Sequence, residues 1–204
     1  MAPATSLTRR GFAAAALVLA ATAAARATPP AAASGFIETV GNKVVGVLRD
    51  ASLGRDERLQ RLSGLLDEAT DLPLLARLVL GQYWRKASQQ QRDEYVRLFR
   101  ALAMKTMADR LHEYGGETFE ISGSRAVDDR DTIVSTRIMR PGSQSPVNVD
   151  WRVRDTGGKL AIIDIIAEGV SLVVTQRSEA AEVAGQRGID GLLQQMRERV
   201  EERA

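Results

Sequence analysis

The chain has 204 residues, with 28 Lys and Arg against 26 Asp and Glu, a single histidine and no cysteine. Without cysteine there are no thiolates, disulfides or sulfur-rich metal sites, and His112 alone cannot make a metal set or a histidine relay. No Lys/Arg run of the kind that tracks phosphates is present, so nucleic acid is not an expected partner.

The first 27 residues read as an export signal. Thr8-Arg9-Arg10-Gly11-Phe12 has the form of a twin-arginine signal, Phe12 to Ala25 is apolar, and Ala25-Arg26-Ala27 is a small-x-small cleavage site. The apolar run of about 14 residues falls short of the roughly 20 that span a bilayer. A leader for the general secretion route is the alternative, and either route crosses the inner membrane. No cysteine follows the cleavage site, so a lipoprotein anchor is excluded and a soluble mature chain is expected. The leader holds Arg9, Arg10 and Arg26 and no acid, which leaves 25 basic against 26 acidic residues, a formal net of −1. About 177 mature residues suffice for one domain with a substantial core, which must hold together without disulfides.

Residues 28–34 read as a flexible lead-in and 35–204 as a single domain. Phe36, Ile37, Val40, Val44, Val47 and Leu48 mark one face of a helix over 36–49, and Leu59, Leu62, Leu65, Leu66 and Ala69 repeat the pattern over 56–69. Asp71 is placed to cap a short helix over 72–80, with Pro73 in its first turn. That helix is apolar on nearly every side except Arg77, so core or ligand must surround it. Ser88 and Gln91 have capping-box spacing and open a long helix. Its stripe runs through Tyr95, Leu98, Phe99, Leu102, Thr106, Met107, Leu111 and Tyr114 to a stop at Gly115-Gly116.

The period then changes to two. Residues 117–122 and 132–140 read as strands about a charged turn at Asp128-Asp129-Arg130-Asp131. This acidic group could hold a cation weakly, but Arg130 among the acids favours a solvated turn. A loop over 141–146 leads into a hairpin, in which Val147, Val149, Trp151 and Val153 alternate with Asn148, Asp150, Arg152 and Arg154. Asp155-Thr156-Gly157-Gly158 supplies the turn, and 160–166 returns as a strand apolar on both faces except at Asp164. Val170 to Thr175 has strand propensity, but Ser171 as N-cap and the polar continuation favour a helix. A last helix carries Ile189, Leu192, Leu193, Met196 and Val200. Four helices, about four antiparallel strands and two more helices make an α+β order.

Catalytic chemistry finds no support. Gly169-Val170-Ser171-Leu172-Val173 lacks the second glycine of a nucleophile elbow, no loop cradles phosphate, and no cofactor site is visible. What remains is apolar surface in excess, with Met104 and Met107 as adaptable side chains on the long helix. The residues alone fit either an ordinary packed core or an interior cavity between sheet and helices.

The run from Asp150 to Val173, DWRVRDTGGKLAIIDIIAEGVSLV, resembles the MlaC family of periplasmic phospholipid-binding proteins. So do Thr175-Gln176-Arg177-Ser178-Glu179, residues 188–193 and the helical stretch 72–99. The resemblance implies a twisted antiparallel sheet packed against several helices, with an apolar pocket between them that takes phospholipid acyl chains. It implies no catalysis. It also implies a carrier in the periplasm, working between an outer-membrane lipoprotein–porin complex and an inner-membrane ABC transporter with an MCE-domain protein. Assigning faces on this basis places the lipid-binding lining at Leu75, Leu78, Val79, Leu98, Leu102, Met107, Val149, Trp151, Val153, Ile163, Ile165 and Val170. Ala180 stands where the family commonly has an aromatic residue, and Gln176 where Tyr is frequent. Both changes reduce bulk and leave the cargo open between a glycerophospholipid and a hopanoid-type lipid. The other reading is a periplasmic interaction or scaffold protein of the same fold whose core is full.

Overall fold

The computed structural model describes residues 29–143 and 145–202, so the expected export signal lies outside the described residues. Helix α1 (Pro30–Arg49) begins six residues before the expected start at Phe36, inside the stretch read as a flexible lead-in. Pro30 sits in the first turn, where its missing N–H leaves no bond unmade, and the alanines after it are strong helix formers. Ala33 is fully buried, so this turn is part of the core.

Helix α2 (Arg55–Ala69) follows, then α3 (Leu72–Leu80), where the Asp71 carboxylate accepts the Leu74 N–H at 2.9 Å. After the single turn α4 (Tyr83–Lys86), α5 (Gln89–Arg110) opens on the expected capping box. Gln91 N–H donates to Ser88 Oγ at 3.2 Å, and Ser88 N–H to Gln91 Oε1 at 2.9 Å. A 3₁₀ turn over Leu111–Glu113 carries the exposed His112 to the sheet.

The strands β1 (Thr118–Ala126), β2 (Asp131–Met139), β3 (Val147–Asp155), β4 (Leu160–Ala167) and β5 (Val170–Ser171) form one antiparallel sheet in that spatial order. The last strand is only two residues, after which helix α6 (Leu172–Glu201) begins. Ser171 Oγ accepts the Val174 N–H at 3.0 Å. The buried Asp164 adds a second cap, accepting from Val173 N–H at 3.1 Å and from the Ser171 hydroxyl at 2.6 Å. Gly188 breaks α6 into two helices, with φ 71° and ψ 178°, a backbone state that glycine alone adopts without strain.

A bulge decides which side chains of β4 face which way. Arg152 pairs with Asp164, but Val153 pairs with Ile162, so Ile163 is an extra residue in β4. Ile162 and Ile165, three apart, therefore share a face with Trp151 and Val153.

On the other face Asp131 is fully buried and is held by two arginines of β3. Arg152 Nε donates to its Oδ2 at 2.5 Å, and Arg154 donates from Nε and Nη2 at 2.6 and 2.8 Å. Burial opposes the charge, but the hydrogen bonds and charges of Arg154 and Arg152 outweigh it and hold the carboxyl below its ordinary range. The solvated-turn reading thus fits Asp128 and Asp129, which are exposed, but not Asp131.

The apolar residues gather in two places. One cluster packs α3, α5 and α6 together around Val79, Leu80, Tyr95, Leu98, Leu193 and Met196. The second joins Ala33 and Ile37 of α1 and Ala69 of α2 to Val134, Val153 and Ile162 of the sheet.

Candidate functional site

Beside the second cluster, α1, α2 and the C-terminal half of α5 stand off from the sheet and enclose a cavity of about 620 Å³. Three helical stripes line it. Helix α1 contributes Ile37, Val40, Gly41, Val44, Val45 and Leu48; α2 contributes Leu62, Leu65, Leu66 and Ala69; α5 contributes Ala103, Thr106, Met107 and Arg110. Each set follows the spacing of one helix face, and the facing strands supply Phe119, Ile138, Trp151, Ile162 and Ile165. Carbon makes up nearly all of the wall.

The cavity has a closed end and a polar end. Ile37, Ala69 and Ile162 belong both to its wall and to the packed sheet cluster, which makes that end the floor. Apart from Thr70 beside Ile162, and Thr106 on α5, the polar lining residues come from one neighbourhood: Arg110, Glu113, Tyr114, Glu117, Thr118 and Arg140. These lie at the end of α5, the start of β1 and the end of β2. Arg49 Nε donates to the Tyr114 hydroxyl at 3.1 Å, and that hydroxyl donates to the Glu117 carbonyl at 3.2 Å. Glu117 is held below the usual carboxylate range, first by its own and the Gly115 backbone N–H groups, then by the charge of Arg140.

Two contacts shape the wall. The Trp151 indole N–H donates to Thr136 Oγ1 at 2.9 Å, and that hydroxyl donates to the Val149 carbonyl at 2.9 Å. The one polar atom of the indole is thereby satisfied inside the sheet, which leaves carbon for the cavity. Gly41 lets the Phe119 ring lie on the backbone of α1, for a Cβ there would come within 2.2 Å of the ring.

Of the residues expected to line a pocket, the structure brings Met107, Trp151 and Ile165 to the cavity. Leu75, Leu78 and Val79 of α3 and Leu98 and Leu102 of α5 belong instead to the helical cluster, where α3, α5 and α6 pack on one another. Val153 lies in the sheet cluster at the floor, Val149 is buried beside Thr136, and the bulge turns in Ile162 where Ile163 was expected. Val170 stands exposed at the turn into α6, next to the exposed Leu172 and Val174. Ala180 packs in the helical cluster, so its small size is absorbed there and not in the cavity. The stripes of α1 and α2 were visible as helix faces, but nothing in them distinguished a wall from a packed core.

An open hollow of this size whose wall is nearly all carbon leaves a large apolar surface without a protein partner, the usual mark of a binding site. Its chemistry is limited: it offers an apolar volume and a charged rim. Among the described residues no group of three or more His, Asp or Glu could hold a metal ion, and no helix is long and apolar enough to cross a membrane.

The pattern of the MlaC protein family matches residues 38–198. The intermembrane phospholipid transport system binding protein MlaC of Haemophilus influenzae is 24% identical over 123 residues, which is 59% of this chain and 58% of that protein. The chain thus matches less than two thirds of that relative's length. The phospholipid-binding protein of Ralstonia solanacearum, solved in complex with a phospholipid, shares the fold with a TM-score of 0.73 and 26% identity. The match covers 82% of this chain and 96% of that one.

Proposed function

Because the chain belongs to the MlaC family, matched over most of its length, we propose that it is a phospholipid carrier whose cavity takes the acyl chains of its cargo. The observation that carries this reading is the 620 Å³ apolar cavity with a floor of packed isoleucine and alanine and a charged mouth. Two acyl chains of roughly 30 methylenes in all cost about 0.8 kcal/mol per methylene in water, so free diffusion of the lipid is negligible. A carbon wall makes transfer from a bilayer nearly isoenergetic, and delivery then runs in either direction. The charged mouth leaves the headgroup at the surface.

In this reading the carrier works in the periplasm. It exchanges lipid with an outer-membrane lipoprotein–porin complex and an inner-membrane ABC transporter that holds an MCE-domain protein. Support for these partners comes from the family and from the intermembrane system named for the Haemophilus protein. Nothing in the site supplies a nucleophile–base pair, and no catalytic step is proposed.

Native mass spectrometry of the mature protein, purified without detergent and followed by organic extraction, tests the proposal. A stoichiometric glycerophospholipid is the expected adduct. A hopanoid mass would keep the carrier and replace its cargo. Protein that arrives empty and refuses added lipid would establish the scaffold reading instead.

A further inference from the structure

We propose that Arg110 and Arg140 form a phosphate subsite at the cavity mouth, which selects cargo by its phosphodiester as well as by its chains. The inference rests on the carrier reading above. Both side chains line the cavity and both residues are exposed, Arg110 at the end of α5 and Arg140 directly after β2. The other arginine that reaches the mouth is already committed, for Arg49 donates to the lining Tyr114 hydroxyl at 3.1 Å. Among the described residues, by contrast, no side chain forms an ion pair or hydrogen bond with the guanidinium of Arg110 or Arg140.

Arg140 acts on the mouth through its charge, which helps hold the Glu117 carboxyl below its ordinary range. The backbone at Gly116 lies against Pro141, for a Cβ at the glycine would sit 3.6 Å from the proline ring. The Glu117 carboxylate spends one oxygen on the Gly115 N–H at 2.8 Å. With Glu113 it also balances the two arginines, so the mouth carries no large net positive field. Recognition of a phosphodiester there rests on guanidinium hydrogen bonds and not on a net positive field. Guanidinium groups match phosphate oxygens in pairs, and the neighbouring carbon wall excludes some of the water that would compete.

The test is competitive uptake by the delipidated mature protein from mixed micelles. The probes are dipalmitoyl phosphatidylethanolamine and dipalmitoylglycerol, which have the same chains with and without phosphate. The wild type is expected to prefer the phospholipid by roughly tenfold, and less at high salt, since the rim is exposed. In the double variant Arg110→Gln/Arg140→Gln the ratio of phospholipid to diacylglycerol uptake falls to near unity, and an unchanged urea unfolding midpoint shows that the fold survives. Equal uptake of the two lipids by the wild type would overturn the subsite and leave the carrier standing. So would a double variant that keeps the preference or loses both lipids together. Failure of the wild type to take either lipid would overturn the carrier reading itself.

Discussion

Helix α5 runs through two apolar regions, one filled and one hollow. Its first half, with Tyr95 and Leu98, is buried against α3 and α6 in a filled cluster. Its second half, with Ala103, Thr106 and Met107, looks across a hollow at α1, α2 and the sheet. Along the helix the contacting side chains pass from the large Tyr95 and Leu98 to the smaller Ala103 and Thr106. The distance to the next element also differs and is set by topology: α6 packs back on α3 and α5, while α1 and α2 lean on the sheet instead. The contrast separates the part of the molecule that supplies stability from the part that supplies volume.

The sharpest way to break this contrast is to place the same charge in each half. Leu98→Arg puts an unpaired guanidinium where the wild-type side chain is only 2% exposed, and is expected to cost at least about 4 kcal/mol or to prevent folding. Met107→Arg, nine residues on, can reach the open mouth, so its cost should be below about 1 kcal/mol while bound lipid drops roughly tenfold. Urea unfolding and lipid extraction on both proteins decide the matter. Similar destabilisation by the two would mean that the hollow is part of the core.

The same contrast marks how far the sequence can be read. The helices were legible because their ends carry explicit chemistry, at Asp71, at Ser88 with Gln91, and at Ser171. The hairpin was legible from the alternation at Val147 to Arg154, and the α+β order followed from both. The stretch read as a lead-in at 28–34 is helical from Pro30 onward, because Pro30 sits in the first turn and the alanines after it extend the helix. The wall was legible only where one strand or one stripe decided it, as at Met107, Trp151 and Ile165. Elsewhere a long-range fact decides: the bulge that trades Ile163 for Ile162, or the packing of α3 between other helices. A face can be read from spacing, but its opposite neighbour cannot.

A smaller effect is expected on the sheet face turned away from the cavity. Asp131→Asn leaves Arg152 and Arg154 facing each other without the carboxylate and should cost about 2–4 kcal/mol, moderated because Arg152 is partly exposed. The pH dependence has a definite sign. The folded-state carboxyl lies below its ordinary value of 3.8, so its contribution is complete above that value and disappears as pH falls through the folded one. The wild type should therefore lose its advantage over Asp131→Asn below about pH 4, as measured by urea midpoints. Lipid occupancy at neutral pH should not change if the clamp serves stability alone.

The smallest effect should fall on Gly41, where stability and volume are opposed at one atom. Alanine in a helix interior is favoured over glycine by up to about 1 kcal/mol. The added Cβ would meet the Phe119 ring at 2.2 Å, so the ring must move. Phe119 stands near the start of the edge strand β1 and lines the cavity, which gives it room to move only by entering the hollow. Gly41→Ala should therefore change the unfolding free energy by less than about 1 kcal/mol in either direction, while bound lipid falls about two- to threefold. A truncated partner, Phe119→Ala, should restore occupancy in the double variant, because it removes the ring that the methyl displaces. If Gly41→Ala lowers occupancy and the second substitution fails to recover it, the ring does not set the width of the cavity, and the bare backbone at Gly41 serves the packing of α1 on the sheet alone.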